Sequence, residues 1–366
     1  MMQKDEILNK AKAGQIINEE EALYLLKLDE DLEDIYFVAN EINESINGKL
    51  VSYVVNRNIN FSNVCCIQCK FCGFYKRPGD PEAYRLSVDE IVRKATEFPD
   101  ITEVCMQGGI DSELTLDYYT RVFKSIKEVQ PDIHIHALSP MEIDYIATTN
   151  NLSIEDTYRI LKDAGLDSTA GTAAEILVDD LRRQFSPYKI NTNRWIEIIK
   201  TAHRVGLRTT ATIMFGHIDN PESIMKHLEI IKNIQLETGG FTEFIPLPFV
   251  PYKTKLARDF EIKDMIPFEK VGLLYAVSRL YFRDIIPNIQ TSWVKLGVDN
   301  AIRALNMGCN DFSGVLHEEN ITKSAGGTHG EYLSVEEIRT AIRKAGKIPI
   351  QRDTLYNYLE EPSKII

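Results

Sequence analysis

From about residue 57 the chain alternates between two hydrophobic rhythms. Short apolar or β-branched runs fall at Ile59–Val64, Ile101–Gln107, Ile133–Leu138, Asp167–Thr172, Arg208–Phe215, Phe241–Pro246, Ile289–Trp293 and Cys309–Phe312. Between them lie amphipathic stretches of helical period: one opened by Ser87-x-x-Glu90, then Thr115–Val129, Ser153–Ala164, Thr192–Val205, Pro221–Thr238, Pro267–Asp284 and Lys295–Asn306. Strands alternating with helices predict parallel βα units, and eight of them predict a (β/α)8 TIM barrel. A doubly wound open sheet is disfavoured, because no Gly-rich dinucleotide fingerprint follows the first strand. Ahead of this pattern, residues 1–50 read as an N-terminal helical extension. Asn18-Glu-Glu-Glu21 forms a capping box there, and Ile35, Val38, Ala39 and Ile42 make an apolar stripe. The expected organisation is therefore extension 1–50, barrel 51–312 and a C-terminal cap, 313–366, laid over one barrel mouth. Val335–Ala345 is the clear helix of that cap.

Composition narrows the class. Apolar residues make up 44% and charged residues 26%, a globular balance. The net charge of −12 gives no basic footprint, so nucleic acid is not an expected partner. No run of 18 apolar residues predicts a membrane span, and the polar start Met1–Lys10 has no signal core. The expectation is a cytoplasmic enzyme with no membrane partner.

The cysteines change the picture most. Four of the six, Cys65, Cys66, Cys69 and Cys72, fall in one loop after the first predicted strand. Such crowding points to a metal rather than a disulfide framework. Cys65-x-x-x-Cys69-x-x-Cys72 offers three thiolates for three irons of a cubane, leaving the fourth iron open for chemistry. The competing reading is a zinc-binding scaffold. Zinc asks for four ligands, and no second Cys-x-x-Cys pair is present. Directly after the second predicted strand, Gln107-Gly108-Gly109 provides either a close backbone approach to a ligand or a tight βα turn.

The cysteine spacing, with Phe71 just before the third cysteine, resembles the radical S-adenosylmethionine (SAM) superfamily. The resemblance implies a 4Fe–4S cluster on Cys65, Cys69 and Cys72 and SAM on its open iron. Phe71 then packs near the adenine, and Gln107, Gly108 and Gly109 lie at the methionine amino group. Ile110 stands where that pattern has Glu. Cys66 falls outside the pattern and is expected to pack beneath the loop as a spectator.

Longer segments are similar to one group of the superfamily. They include His134–Ile143, Gly171–Leu177, Thr209–His217, Gly239–Val250, Asn310–Asn320 and Gln351–Tyr356. The group contains the tyrosine-dependent FO synthase subunits and the futalosine-processing enzymes of menaquinone synthesis. Most segments look like the former, whereas Phe74–Tyr84 is similar to cyclic dehypoxanthine futalosine synthase. The first resemblance implies transfer of the 4-hydroxybenzyl group of L-tyrosine to 5-amino-6-(D-ribitylamino)uracil in deazaflavin synthesis. It also implies an external electron donor and a second radical SAM subunit that completes FO.

After the fourth strand, Glu175 is expected at the SAM ribose and Arg182 at its carboxylate, against a surface ion network. Ser139 is either a cofactor contact or a helix N-cap. His134 and His136 share a strand face, and His136 is the better placed for the mouth. His217, Tyr75, Asn310 and Asp311 are substrate-side candidates. Against these stand packing for His217 and Tyr75, and a solvated loop or helix cap for Asn310 and Asp311.

Overall fold

The computed structural model describes residues 2–361; the last five residues of the expected cap, 362–366, lie outside them. Among the described residues nine strands form: β1 Leu50–Val54, β2 Asn56–Ile59, β3 Glu103–Met106, β4 His134–Ala137, β5 Ser168–Thr169, β6 Arg208–Phe215, β7 Phe241–Pro248, β8 Asp311–Gly314 and β9 Ile348–Arg352. Strands β2 to β7 run in sequence order as one parallel six-stranded sheet. A second parallel sheet has the order β8-β1-β9. Single parallel bridges, Phe244–Ile289 and Gln290–Asp311, carry the pairing from β7 to β8, and β8 pairs with β1 just before β2 begins. The curled parallel sheet of the expected barrel class is present.

Its details depart from the expected strands. The first ladder lies earlier, at 56–59, because its partner β3 ends at Met106 and the chain then turns through 107–109. Residues 60–64 instead make single bridges to Arg85 and Lys76. The expected strand Ile289–Trp293 is reduced to bridges at Ile289 and Gln290, and Trp293 opens a helix. The last expected strand begins two residues late, at Asp311.

The strands of the six-stranded sheet put their C-terminal ends at one mouth, where the cysteine loop sits, and their N-terminal ends at the opposite floor. The tail serves both. Near the mouth, Lys253 donates its backbone N–H to Ala325 at 3.0 Å. At the floor, β9 lies beside β1, and Arg352 and Thr354 reach Asp311 and Glu103 at the starts of β8 and β3. A cap over a single mouth is thus replaced by a segment that contributes to both ends.

The helices pack outside, as their periodicity requires. Ser87, Asn18 and Ser334 each close a capping box, satisfying orphan N–H groups at the helix starts. Pro140–Thr149 and Asp179–Phe185 are helices that the hydrophobic pattern does not single out.

Candidate active site

A cavity of about 360 Å³ runs down the barrel interior from the cysteine loop to the floor. Phe71, Cys72 and Gly73 line it near the mouth; Gln107, Thr172 and Glu175 follow; Glu103, Glu243 and Arg352 close it below. Barrel chemistry is sited at the C-terminal strand ends, so the upper half is the reacting end.

The loop's fine structure fits a cluster. Cys69 is buried, Cys65 and Cys72 are half-buried. Burial pushes the Cys69 thiol far above the ordinary thiol range, an effect that Lys189 opposes. Burial likewise raises Cys72, while backbone N–H groups of Phe74 and Tyr75 are aimed at its sulfur. A bound metal would deprotonate the thiols it coordinates outright, against this desolvation. N–H groups turned on sulfur are a standard device for tuning a cluster. Among the described residues, no three His, Cys, Asp or Glu converge to hold a single metal ion. A cubane makes a different demand, since each thiolate takes its own iron. Cys66 is exposed, not packed beneath the loop as expected, and its N–H binds the Ile110 carbonyl at 3.0 Å.

Gly108 and Gly109 have a packing reason of their own. A Cβ on Gly109 would lie 2.0 Å from the Val64 carbonyl oxygen, and one on Gly108 would lie 2.4 Å from the Phe61 ring. Neither has a positive φ. At Gly109 the main chain of the cysteine loop needs the glycine, and at Gly108 the Phe61 ring does. The Gly108 N–H donates to Glu142 Oε1 at 3.2 Å, and the Ser139 N–H donates to Glu142 Oε2 at 2.6 Å. Ser139 is the N-cap of Pro140–Thr149 and does not line the cavity. Burial pushes the Glu142 carboxyl up to about 7, against these hydrogen bonds.

Phe71 lines the cavity and meets Phe185 edge-on at 5.7 Å. Glu175 also lines it, with a positive φ of 40°. Its Oε1 is 2.5 Å from Lys189 Nζ and its Oε2 is 3.5 Å from Arg182 Nη1. Lys189 also stands 5.1 Å from the Phe71 ring centroid, a cation–π distance. Arg182 uses its two terminal nitrogens within the protein, and its buried Nε has no hydrogen-bond partner. Its guanidinium donates to the carbonyls of Ala173 (3.1 Å), Ala174 and Ile190 (2.9 Å), so it clamps the loop that presents Glu175.

Of the substrate-side candidates, only His136 lines the cavity. Its Nδ1 is 2.7 Å from Ser168 Oγ, and burial pushes its pKa down to about 4, so it is neutral. His134 shares the same hydroxyl, as the strand parity required. His217 is packed between Phe185 and Phe249. Its Nε2 lies 3.0 Å from the Met214 carbonyl and its Nδ1 accepts from the Ile218 N–H, so both nitrogens are used. Tyr75 is half-buried and off the cavity wall. Asn310 and Asp311 lie at the floor rather than on a ligand surface. Arg279 and the Ile289 N–H occupy Asn310 Oδ1, and Arg352 and Ser52 occupy Asp311 Oδ2.

The sequence reading passed over Glu142, Lys189, Lys295 and Arg352. Burial pushes Glu243 up to about 7, with Arg352 acting in the opposite sense. Gln290 and Tyr356 donate to its Oε2, each at 2.7 Å. The lower cavity is thus a fixed array of donors and acceptors.

Comparison with known proteins decides the family. Residues 59–231 match the radical SAM superfamily, and residues 238–365 match the CofH/MqnC C-terminal region. A protein of Methanopyrus kandleri is 46% identical over 363 residues, 99% of this chain and 97% of the relative. The chain belongs to the radical SAM superfamily. Enzymes of this superfamily use a 4Fe–4S cluster and SAM. The Methanopyrus protein is named 5-amino-6-(D-ribitylamino)uracil–L-tyrosine 4-hydroxyphenyl transferase. So is one from Archaeoglobus fulgidus, 46% identical over 92% of this chain and 98% of its own, and one from Methanocaldococcus jannaschii, 45% identical over 94% and 97%. Two solved structures share the radical SAM fold. Methylornithine synthase superposes with a TM-score of 0.74 at 18% identity, covering 94% of this chain and 97% of that one. The FeFe-hydrogenase maturase HydG from Carboxydothermus hydrogenoformans gives 0.77 at 16% identity, covering 97% and 81%.

Proposed function

We propose that this radical SAM enzyme transfers the 4-hydroxybenzyl group of L-tyrosine to 5-amino-6-(D-ribitylamino)uracil. One observation carries the reading: relatives 42–46% identical, matched over nearly their whole length, bear that activity in their names. The cavity is compatible with it. It is open toward Phe71 and Cys72 and polar below, where Glu103, Glu243, Gln290 and Arg352 offer partners for a pyrimidine and a polyol chain.

In this reading Cys65, Cys69 and Cys72 hold the cluster, and Phe71, Gln107 and Glu175 border the cofactor. Bound there, the cluster and SAM would supply a hydrogen-abstracting radical. The protein's part is binding, orientation and exclusion of water. Tyrosine loses a hydrogen atom from its amine, its Cα–Cβ bond breaks, the glycyl remainder leaves as iminoacetate, and the 4-hydroxybenzyl radical adds to the uracil held below, the adduct then giving up one electron and one proton. An external one-electron donor and a second radical SAM subunit that closes the deazaflavin ring complete the proposal, with the cytoplasm as its site. Among the described residues no helix is long and apolar enough to cross a membrane.

The test is anaerobic turnover. Iron- and sulfide-reconstituted protein receives dithionite, SAM, L-tyrosine and the aminouracil, and 5′-deoxyadenosine and a tyrosine–uracil adduct are followed by mass spectrometry. Both appear with the native protein and vanish with Cys69→Ala, while Cys66→Ala retains both. Deoxyadenosine without adduct refutes the substrate assignment and directs the search to dehypoxanthine futalosine, since the C-terminal family model is shared with that branch.

A further inference from the structure

Among the described residues, two cations line the cavity, and they differ in one respect. Arg352 is engaged by Asp311, 2.5 Å from its Nε, with Glu243 3.8 Å from its Nη2. Lys295 has no ion pair. Its Nζ donates to the Thr322 hydroxyl at 3.2 Å. Burial holds this ammonium below the ordinary lysine range, and the Glu319 carboxylate opposes that shift without forming a contact pair. Glu319 itself is occupied as a helix cap, accepting from the Thr322 N–H at 2.8 Å. A largely buried ammonium without an anion is costly, and burial in company with a carboxylate removes that cost.

Its position is equally informative. Lys295 lies on the short helix Trp293–Leu296, just past the Gln290 bridge and hence at the mouth end of the barrel. Thr322 belongs to the tail segment Asn320–Ser324, whose Ser324 carbonyl presses against Gly73, one residue beyond Cys72. Val250, Ile321 and Ala325 line the cavity in the same region. The upper cavity therefore combines an apolar wall, a cysteine of the cluster loop and a single uncompensated positive charge.

We propose that Lys295 is the counter-cation for the α-carboxylate of the amino-acid substrate, fixing L-tyrosine at the mouth end of the cavity with its side chain against the apolar wall. The inference rests on the tyrosine-dependent reading above and adds to it the residue that selects an amino acid over the corresponding amine. A charge-assisted bond of this kind corresponds to roughly a ten- to hundredfold difference in affinity.

Equilibrium dialysis of the reconstituted protein with L-tyrosine and with tyramine, which lacks only the carboxylate, tests it. The native protein is expected to prefer tyrosine about ten- to hundredfold. Lys295→Met should bring that ratio close to one with tyramine binding unchanged, and Lys295→Arg should keep most of the preference. Circular dichroism melting of each variant establishes that it is folded. A folded Lys295→Met protein that still prefers tyrosine overturns the proposal, as does a parallel loss of tyramine, which would mark Lys295 as a prop for the pocket. Adduct formation by a native protein that binds the two ligands equally well overturns the Lys295 assignment and leaves the transferase reading standing. Absence of both adduct and tyrosine binding removes both.

Discussion

Replacing Arg352 by Met tests whether the tail's polar plug holds the barrel floor. The Arg352 side chain is 2% exposed and its partner Asp311 is fully buried. Arg352 Nε lies 2.5 Å from Asp311 Oδ2, Nη2 lies 3.8 Å from Glu243 Oε2, and Nη1 donates to the Asp353 carbonyl at 3.1 Å. The guanidinium also sits 4.0 Å from the Tyr356 ring centroid. Met fills similar volume but leaves Asp311 a buried carboxylate whose remaining donors are the Ser52 hydroxyl and the Ser313 N–H. Breaking a buried pair from one side costs about 3–5 kcal/mol. Unfolding entropy of about 2.1 cal/mol/K per residue over a chain of this length converts that to a fall in Tm of about 4–7 °C. Thermal melting at neutral pH measures it. Arg352→Met combined with Asp311→Asn removes the stranded charge and should recover more than half of the loss. A Tm for Arg352→Met within about 1 °C of native would refute the argument, because no buried pair that matters could be lost so cheaply.

Gly109→Ala drives a methyl to 2.0 Å from the Val64 carbonyl oxygen and 3.0 Å from the Cys65 Cβ, so the cysteine loop must shift. A stability loss of about 1–3 kcal/mol is expected, with iron content after reconstitution below half of native; full iron loading would sink the idea that this close approach shapes the cluster loop. Gly108→Ala meets the Phe61 ring instead of main chain and should load iron better than Gly109→Ala. Glu142, raised by burial to about 7 from the usual 4.5, keeps its proton in the folded state longer than in the unfolded one. Its contribution is therefore present at low pH and declines as pH rises from about 4.5 through 7. Glu142→Gln should flatten that part of the stability–pH curve measured by denaturant titration, leaving the slope that Glu243, also raised to about 7, supplies with the same sign; an unaltered slope contradicts the assignment.

How much the chain announces depends on the range of the interaction that writes the pattern. Helix periodicity and caps are local, and Pro221–Thr238 and the capping boxes at Asn18 and Ser87 are legible residue by residue. Strand register is not local. Ile59–Val64 alternates well, yet the ladder follows β3 and stops at Met106. Strand β9 carries a proline at position 349 and sits in the polar tail, so its pairing with β1 depends on an edge no sequence window contains. The short helix Asp179–Phe185 follows a loop in which Ala173 and Glu175 have positive φ; that backbone is held by Arg182, seven residues beyond Glu175.

The same distinction runs through the site. The cysteine loop is a local motif, and chemistry fixes its meaning before any fold is known. The charges that surround it are not local. Lys189 meets Glu175, the Phe71 ring and the field of Cys69 only after three separate loops converge. Burial alone would push Lys189 toward its neutral form, yet Glu175 and Cys69 together hold its pKa above the ordinary lysine value. In the proposed reading the three thiolates of this loop would bring several negative charges into a poorly solvated place, and Lys189 is a cation that feels the field of Cys69. Glu175 gives Oε1 to that ammonium, and Oε2 keeps lone-pair capacity toward the cavity, its neighbour Arg182 being 3.5 Å away and bound to carbonyls. Asn310 and Asp311 show the converse. Polar residues clustered in sequence read as a ligand surface until the structure shows Arg279 and Arg352, from elsewhere in the chain, already using their oxygens. A buried polar group declares its role through its partner, and where the partner is distant in sequence the role becomes readable only in the fold.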